Sequence, residues 1–223
     1  MKHIDLIKET NFEIHDGCFE NVEIKLNQNN YILCIDGIKW MNFNSVTKQE
    51  ALECLIHYVI AKGHVVTTGL GLGIREQLIL SKPDVTQLIV IEKSLNLIEY
   101  HKIHSSWAKN PKVKFINGNA SQHTVECDVL LLDHFEQQNF INILNNVNSL
   151  STKNQIKNIW FWPFEIYIRS HMKKYNCTLM QSYQAILNKY SLKNFPNLSE
   201  ELLIKAIEVF PETLNSSQID IFV

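Results

Sequence analysis

The sequence predicts an α/β protein: a Rossmann-like, doubly wound, mostly parallel sheet with a small N-terminal β-hairpin module and a helical C-terminal segment. Two observations lead to this prediction. From residue 64 to residue 161, continuous apolar runs alternate with amphipathic stretches, as in successive βαβ units. A glycine-rich loop, "GLGLG" at 69–73, directly follows the first apolar run. We expect the module to span residues 1–45 and the sheet domain residues 46–223.

The N-terminal elements follow from short-range signals. "VEIKL" alternates between apolar and polar residues, and Asp36-Gly37 between two apolar runs is a strong hairpin signal. Residues 19–43 are therefore predicted to be β structure. Residues 46–62 carry apolar residues at helical spacing, and Gly63 supplies a stop, so one helix is expected there.

The alternating region predicts five strands: "HVVTT", "QLIVIEK", "VKFINGN", "CDVLLLDHF" and "IKNIWFWPF". Helices are expected between them, and Ser94 is the expected N-cap of the second. After Pro163 three further helices are predicted, the last with Ser199 as its N-cap. "QIDIFV", at 218–223, is a candidate last strand.

Composition excludes several classes of protein. The chain has 223 residues and a formal net charge of −2, which gives no electrostatic footprint for nucleic acid or an anionic membrane. No apolar stretch is long enough to span a bilayer, and the N-terminus does not read as a signal peptide. Five cysteines without a C-x-x-C pair indicate a reducing compartment and no structural zinc. We expect a cytoplasmic protein with no nucleic-acid or membrane partner.

Four features fall at the ends of consecutive predicted strands. The glycine loop follows the first strand, Glu92 ends the second, "INGNAS" at 116–121 ends the third, and "LLLDHFE" ends the fourth. Ligands of parallel sheets bind at the carboxyl ends of the strands, near the point where the strand order reverses. An acid about 20 residues past the loop can accept hydrogen bonds from the hydroxyls of a ribose. The four features therefore predict one nucleoside-binding edge.

With these pieces, residues 60–165 resemble the class I S-adenosylmethionine-dependent methyltransferases. The resemblance implies S-adenosylmethionine as cofactor. The implied cofactor-binding residues are Thr68, Gly69, Leu70, Gly71, Gly73, Glu92, Lys93, Asn119, Ala120 and Asp133. Two positions depart from the family pattern: Thr67 stands where many members carry an acid, and Asn119 stands where aspartate is common.

The upstream segment "YILCIDGIKWM" is similar to the polyamine synthase branch, which includes the spermidine synthases. Members of this branch place a β-hairpin module before the nucleotide domain. That layout implies a possible homodimer, and a substrate pocket at Trp40, Glu136 and Trp162. The carboxylates that would hold a polyamine's ammonium groups are largely missing from the expected motif positions. The predicted architecture therefore follows this branch, whereas its activity does not.

Asp133 and His134 are the predicted catalytic residues, because they end the fourth strand beside the implied cofactor. His134 has two open interpretations, a general base near neutral pH or a structural hydrogen-bond partner. His101 and His104 are expected on a solvated helix face, and no metal site is expected. The aromatic cluster of Trp160, Phe161, Trp162 and Phe164 is expected in the core, with an aromatic wall for an acceptor as the alternative.

The predicted function is methyl transfer from S-adenosylmethionine to an unidentified small molecule. Two alternatives remain open. One is aminopropyl transfer from the decarboxylated cofactor, which an acidic pocket would favour. The other is a non-catalytic domain that binds a nucleoside or a partner protein.

Overall fold

A computed structural model describes residues 2–134, 140–153 and 155–209. Within these residues the chain forms two sheets, a four-stranded antiparallel sheet followed by a five-stranded parallel sheet. None of the helices in this described part of the chain is long and apolar enough to span a bilayer.

The N-terminal module consists of a helix and an antiparallel sheet in the order β1-β2-β3-β4. Its elements are α1 (Lys2–Glu9), β1 (Gly17–Phe19), β2 (Val22–Asn27), β3 (Asn30–Ile35) and β4 (Ile38–Asn44). The predicted hairpin is confirmed, since Asp36 and Gly37 join β3 to β4 with φ values of 54° and 74°. The sequence did not predict α1 or β1.

The parallel sheet has the order β7-β6-β5-β8-β9, and every neighbouring pair is parallel. Its strands are β5 (Gly63–Thr68), β6 (Val85–Glu92), β7 (Val113–Asn117), β8 (Glu126–Leu132) and β9 (Gln155–Phe161). The crossover helices are α4 (Ile74–Leu80), α5 (Leu95–His104) and α6 (Phe140–Lys153). The order reverses between β5 and β8, and the carboxyl ends of the strands at such a switch point are where doubly wound sheets usually bind their ligands. The predicted Rossmann-like fold class is confirmed.

The remaining helices frame this sheet. Residues 46–62, predicted as one helix, form two short helices that meet at Cys54, α2 (Gln49–Glu53) and α3 (Leu55–Ile60). The C-terminal helices are α7 (Phe164–Tyr175), α8 (Leu179–Lys189) and α9 (Glu200–Glu208). Ser94 and Ser199 are N-caps as predicted, because their side chains accept hydrogen bonds from backbone N–H groups at 3.2 and 3.3 Å. The candidate strand 218–223 lies outside the described residues.

The core lies on both faces of the parallel sheet. The central strands β5 and β8 are buried on both sides, as a parallel strand between two helical layers requires. Most of the aromatic cluster belongs to this core: Trp160, Phe161 and Phe164 have no exposed surface. The rings of Phe161 and Phe164 stack with centroids 4.7 Å apart. Core packing is therefore the role of these three residues.

Candidate functional site

The glycine loop 69–73 connects β5 to α4 at the switch point of the sheet. Its three glycines all have left-handed φ values, 74° at Gly69, 55° at Gly71 and 73° at Gly73. Other residues reach this region only with strain, so the backbone conformation itself requires glycine. The space beside each glycine is also filled by this chain. A Cβ would lie 2.0 Å from the Asp133 carbonyl oxygen at Gly69 and 2.5 Å from the Trp107 ring at Gly73.

Glu92, at the end of β6, holds the glycine loop from the side. Its Oε2 accepts a hydrogen bond from the Leu70 N–H at 2.8 Å, and its Oε1 accepts one from the Ser94 N–H at 2.7 Å. Each carboxylate oxygen has two acceptor positions, so both oxygens can accept a further hydroxyl. The residue predicted to bind ribose therefore lies directly against the loop predicted to bind the cofactor.

The end of β7 adds polar groups beside Glu92. Asn117 Nδ2 donates to the carbonyl oxygens of Glu92 and Lys93, at 3.1 and 2.9 Å. Asn119 is exposed and caps a short 3-10 turn by accepting a hydrogen bond from the Ser121 N–H at 3.0 Å. Ala120 is buried, and the Lys93 side chain is exposed. The β6 and β7 ends thus form one continuous edge.

Asp133 and His134 follow β8 on the other side of the loop. The Asp133 side chain is 44% exposed, with its Oδ2 3.4 Å from Arg75 Nη1. His134 Nδ1 lies 2.5 Å from the Thr68 hydroxyl oxygen. Burial lowers the pKa of His134 to about 4, and the nearby charge of Arg75 acts in the same direction. His134 is therefore neutral at neutral pH, and Asp133 is the solvent-accessible acid.

Arg75, in the first turn of α4, was missed by the sequence analysis. Its side chain is buried and forms an ion pair with Glu76, with Nη2 2.7 Å from Oε1. The same nitrogen donates to the carbonyl oxygens of Thr68 and Gly69. The Arg75 side chain therefore links the end of β5 and the start of the glycine loop to α4. A single charged pair at the start of a helix carries no sequence signal for this role.

His101 contradicts the prediction of a solvated face. It is 2% exposed, and its Nε2 lies 2.9 Å from the carbonyl oxygen of Gly71, which requires the Nε2–H tautomer. Burial lowers its pKa to about 4, so the ring stays neutral. The prediction was wrong because His101 follows the buried Leu97 by four residues and so shares its face of α5. His104 is half-buried, with its ring centroid 4.6 Å from that of Tyr100.

Helices α2 and α7 bring Glu53 and Glu165 to the end of β9, and Glu50 of α2 lies near Glu53. Glu53 Oε2 is 3.4 Å from Trp162 Nε1, and Glu165 Oε1 accepts a hydrogen bond from Trp160 Nε1 at 2.9 Å. Burial raises the pKa of Glu50, Glu53 and Glu165, and that of Glu165 reaches about 8. The nearby charges of Glu50 and Asp133 raise the pKa of Glu53 further. We call Glu50, Glu53 and Glu165 the acidic cluster.

The predicted substrate-pocket residues have different positions. Trp162 is half-buried beside the acidic cluster. Trp40 is the extra residue of a β-bulge in β4, between Lys39 and Met41, and it is 49% exposed. Glu136 lies outside the described residues. The structure therefore relates one of the three, Trp162, to the carboxyl ends of the strands.

Two further features of the described residues bear on ligands. Across residues 2–134, 140–153 and 155–209, no group of three or more His, Cys, Asp or Glu side chains is placed to hold a metal ion. A cavity of about 590 Å³ lies at the opposite, amino-terminal ends of β5, β8 and β9, lined among others by His64, Asp128 and Lys157. It is separated from the glycine loop by the length of the strands and does not belong to this site.

Comparison with known proteins finds similarity only among solved structures. No family model and no curated protein sequence matches the chain. A spermidine synthase from Thermotoga maritima is similar with a TM-score of 0.46 and 18% identity, over 67% of this chain and 54% of that one. A probable spermidine synthase from Corynebacterium glutamicum gives a TM-score of 0.45 and 12% identity, over 61% and 60%. Trm5b from Pyrococcus abyssi gives 0.42 and 14%, over 76% and 54%.

This chain therefore spans little more than half the length of the structures it resembles. Its own strand order, together with the antiparallel module that precedes it, defines the architecture.

Proposed function

We propose that this protein is a transferase that binds a sulfonium nucleoside, S-adenosylmethionine or its decarboxylated form, at the carboxyl ends of β5, β6, β7 and β8. The position of Glu92 is the observation that carries the proposal. Its carboxylate joins the glycine loop to the β6 end and keeps acceptor positions for two ribose hydroxyls. The residues present fit such a ligand, since a hydroxyl-binding acid, a left-handed glycine backbone and the polar β7 end adjoin.

When bound, the sulfonium group supplies an electrophilic carbon whose bond to sulfur breaks as a nucleophile attacks. The chain's residues would align the acceptor and remove its proton. Asp133 is the proposed base, because its carboxylate is accessible at the end of β8. Desolvation raises the pKa of this carboxyl, as a proton acceptor requires, and the charge of Arg75 acts in the opposite direction. His134, neutral and hydrogen-bonded to Thr68, is proposed to orient the loop after β8.

The acidic cluster supports an amine as the acceptor. Burying three carboxylates costs free energy unless protons or cations neutralise them. Glu165 is 1% exposed, and its Oε2 has no hydrogen-bond partner among the described residues. An ammonium group would take the place of the proton that the buried Glu165 otherwise keeps, and it would supply hydrogen-bond donors. An amine can be the nucleophile in either reaction. This observation therefore supports aminopropyl transfer as a second candidate beside methyl transfer.

Product analysis distinguishes the two reactions. The protein is incubated with each donor and a panel of mono-, di- and triamines, and the nucleoside products are identified by mass spectrometry. Methyl transfer releases S-adenosylhomocysteine, whereas aminopropyl transfer releases 5′-methylthioadenosine. We expect one of these products, and a large reduction of its rate in Asp133→Asn. Release of neither nucleoside with any amine would contradict the transferase proposal.

A further inference from the structure

The backbone N–H groups of the glycine loop are mostly engaged within the protein. Loops of this geometry commonly bind a ligand's anionic group through such N–H groups. Here the N–H groups of Gly69 and Gly73 donate to the backbone carbonyl oxygens of Ile91 (3.0 Å) and Leu70 (3.1 Å). The N–H groups of Leu70 and Leu72 donate to side chains, the Glu92 carboxylate (2.8 Å) and Met41 Sδ (3.2 Å). Among the described residues, Gly71 is the loop position whose N–H shows no partner.

Met41 differs from the other acceptors because it comes from the N-terminal module. It lies on β4 directly after the bulge at Trp40, and its thioether lies against the loop. A Cβ on Gly71 would be 2.4 Å from its sulfur, so the two are in close contact. A thioether is a weak acceptor. The Met41 side chain therefore covers the Leu72 N–H but accepts only a weak hydrogen bond from it.

The charges around the loop disfavour an anion as well. Glu92 hydrogen-bonds to the loop, the backbone carbonyl oxygen of Asp133 faces Gly69, and the accessible carboxylate of Asp133 lies 3.4 Å from Arg75 Nη1. The nearby cation, Arg75, is turned inward to Glu76 and to two backbone carbonyl groups. A ligand carboxylate at the loop would therefore meet negative charge while the guanidinium is already engaged.

We propose that Met41 is a specificity-determining residue of the donor site. By covering the Leu72 N–H, its side chain withholds one loop donor from a ligand carboxylate, so that the Gly71 N–H alone could not pair with both carboxylate oxygens. The site therefore prefers nucleosides without a carboxylate, including the decarboxylated donor, over those that carry one. This inference rests on the proposed function, since it assumes that a sulfonium nucleoside occupies the loop.

Calorimetric titration with two stable nucleosides tests this role. S-adenosylhomocysteine carries the carboxylate and 5′-methylthioadenosine lacks it. We expect the wild-type protein to bind 5′-methylthioadenosine more tightly. In Met41→Ala the uncovered N–H should improve the affinity for S-adenosylhomocysteine about tenfold relative to 5′-methylthioadenosine, as a hydrogen bond to a charged group predicts. Met41→Leu fills similar space without the sulfur, and it should keep the wild-type ratio.

The outcomes separate the two proposals. If both nucleosides bind and Met41→Ala leaves their affinity ratio unchanged, the role of Met41 is refuted while the nucleoside site stands. If Met41→Leu shifts the ratio as much as Met41→Ala does, coverage by side-chain volume is refuted. If neither nucleoside binds to any folded variant, the proposed function is refuted and the role of Met41 with it. Thermal unfolding of each variant establishes that it is folded.

Discussion

Glu165 offers a test of the acidic cluster that needs no ligand. Burial raises the pKa of its carboxyl from 4.5 to about 8, and the charge of Glu53 acts in the same direction. The folded protein therefore keeps a proton that the unfolded chain releases between these two values. By proton linkage, the free energy of unfolding falls with rising pH across this window. The stabilisation is fully present below pH 4.5 and is lost as pH rises towards about 8.

The substitution Glu165→Gln removes this titration while keeping the shape of the neutral acid. The amide oxygen can still accept the hydrogen bond from Trp160 Nε1, which spans 2.9 Å in the wild type. With about 1.4 kcal/mol per pH unit, the wild type should lose roughly 3–4 kcal/mol relative to the variant between about pH 5 and about pH 8. The variant should therefore be the less pH-sensitive protein.

Urea denaturation followed by tryptophan fluorescence at several pH values measures this difference. Glu126→Gln, an exposed substitution at the start of β8, serves as the control and should track the wild type. Parallel pH profiles for the wild type and Glu165→Gln would refute the reasoning. They would mean that Glu165 is ionised in the folded state and that water or another group stabilises its charge.

Two further pairs of substitutions test the glycine loop and the ion pair beside it. Gly69 and Gly37 both have a φ of 74°, but only at Gly69 would a Cβ meet a close neighbour, the Asp133 carbonyl oxygen at 2.0 Å. Gly37→Ala should therefore cost about 1 kcal/mol of stability, and Gly69→Ala about 2–3 kcal/mol more. Equal losses in urea denaturation would argue against the packing described. Arg75→Met should lower the free energy of unfolding by about 3–5 kcal/mol, because it leaves the Glu76 carboxylate buried and unpaired. Adding Glu76→Leu should restore part of that loss. A double variant no more stable than Arg75→Met would count against a buried ion pair.

The elements that the sequence predicted depend on short-range signals. The turn at Asp36-Gly37 needs two left-handed residues between apolar runs, and Ser94 and Ser199 cap helices through contacts three residues away. The parallel strands follow from continuous apolar runs, which only a sheet covered on both faces accommodates. These features are local, so one sequence is sufficient to find them.

The features that the sequence did not predict depend on contacts between distant residues. Met41 reaches Leu72 from another sheet, and His101 reaches Gly71 from the next crossover helix. The acidic cluster combines α2 with the start of α7, more than 100 residues later in the chain. No local motif encodes these pairs, because each depends on how the elements pack. The periodicity of α5 did place His101 on a buried face, and that signal was overlooked.

The proposed function requires that Glu92 and the glycine loop hold a nucleoside. Calorimetric titration of 5′-methylthioadenosine into the wild type, Glu92→Gln and the control Glu99→Gln tests it most directly. Glu99 lies outside the site on α5 and pairs with Lys102. We expect binding by the wild type and by Glu99→Gln, and an affinity about 10- to 100-fold weaker in Glu92→Gln, the loss expected for a hydrogen bond to a charged group. Equal binding by all three folded proteins, or no binding by the wild type, would contradict it.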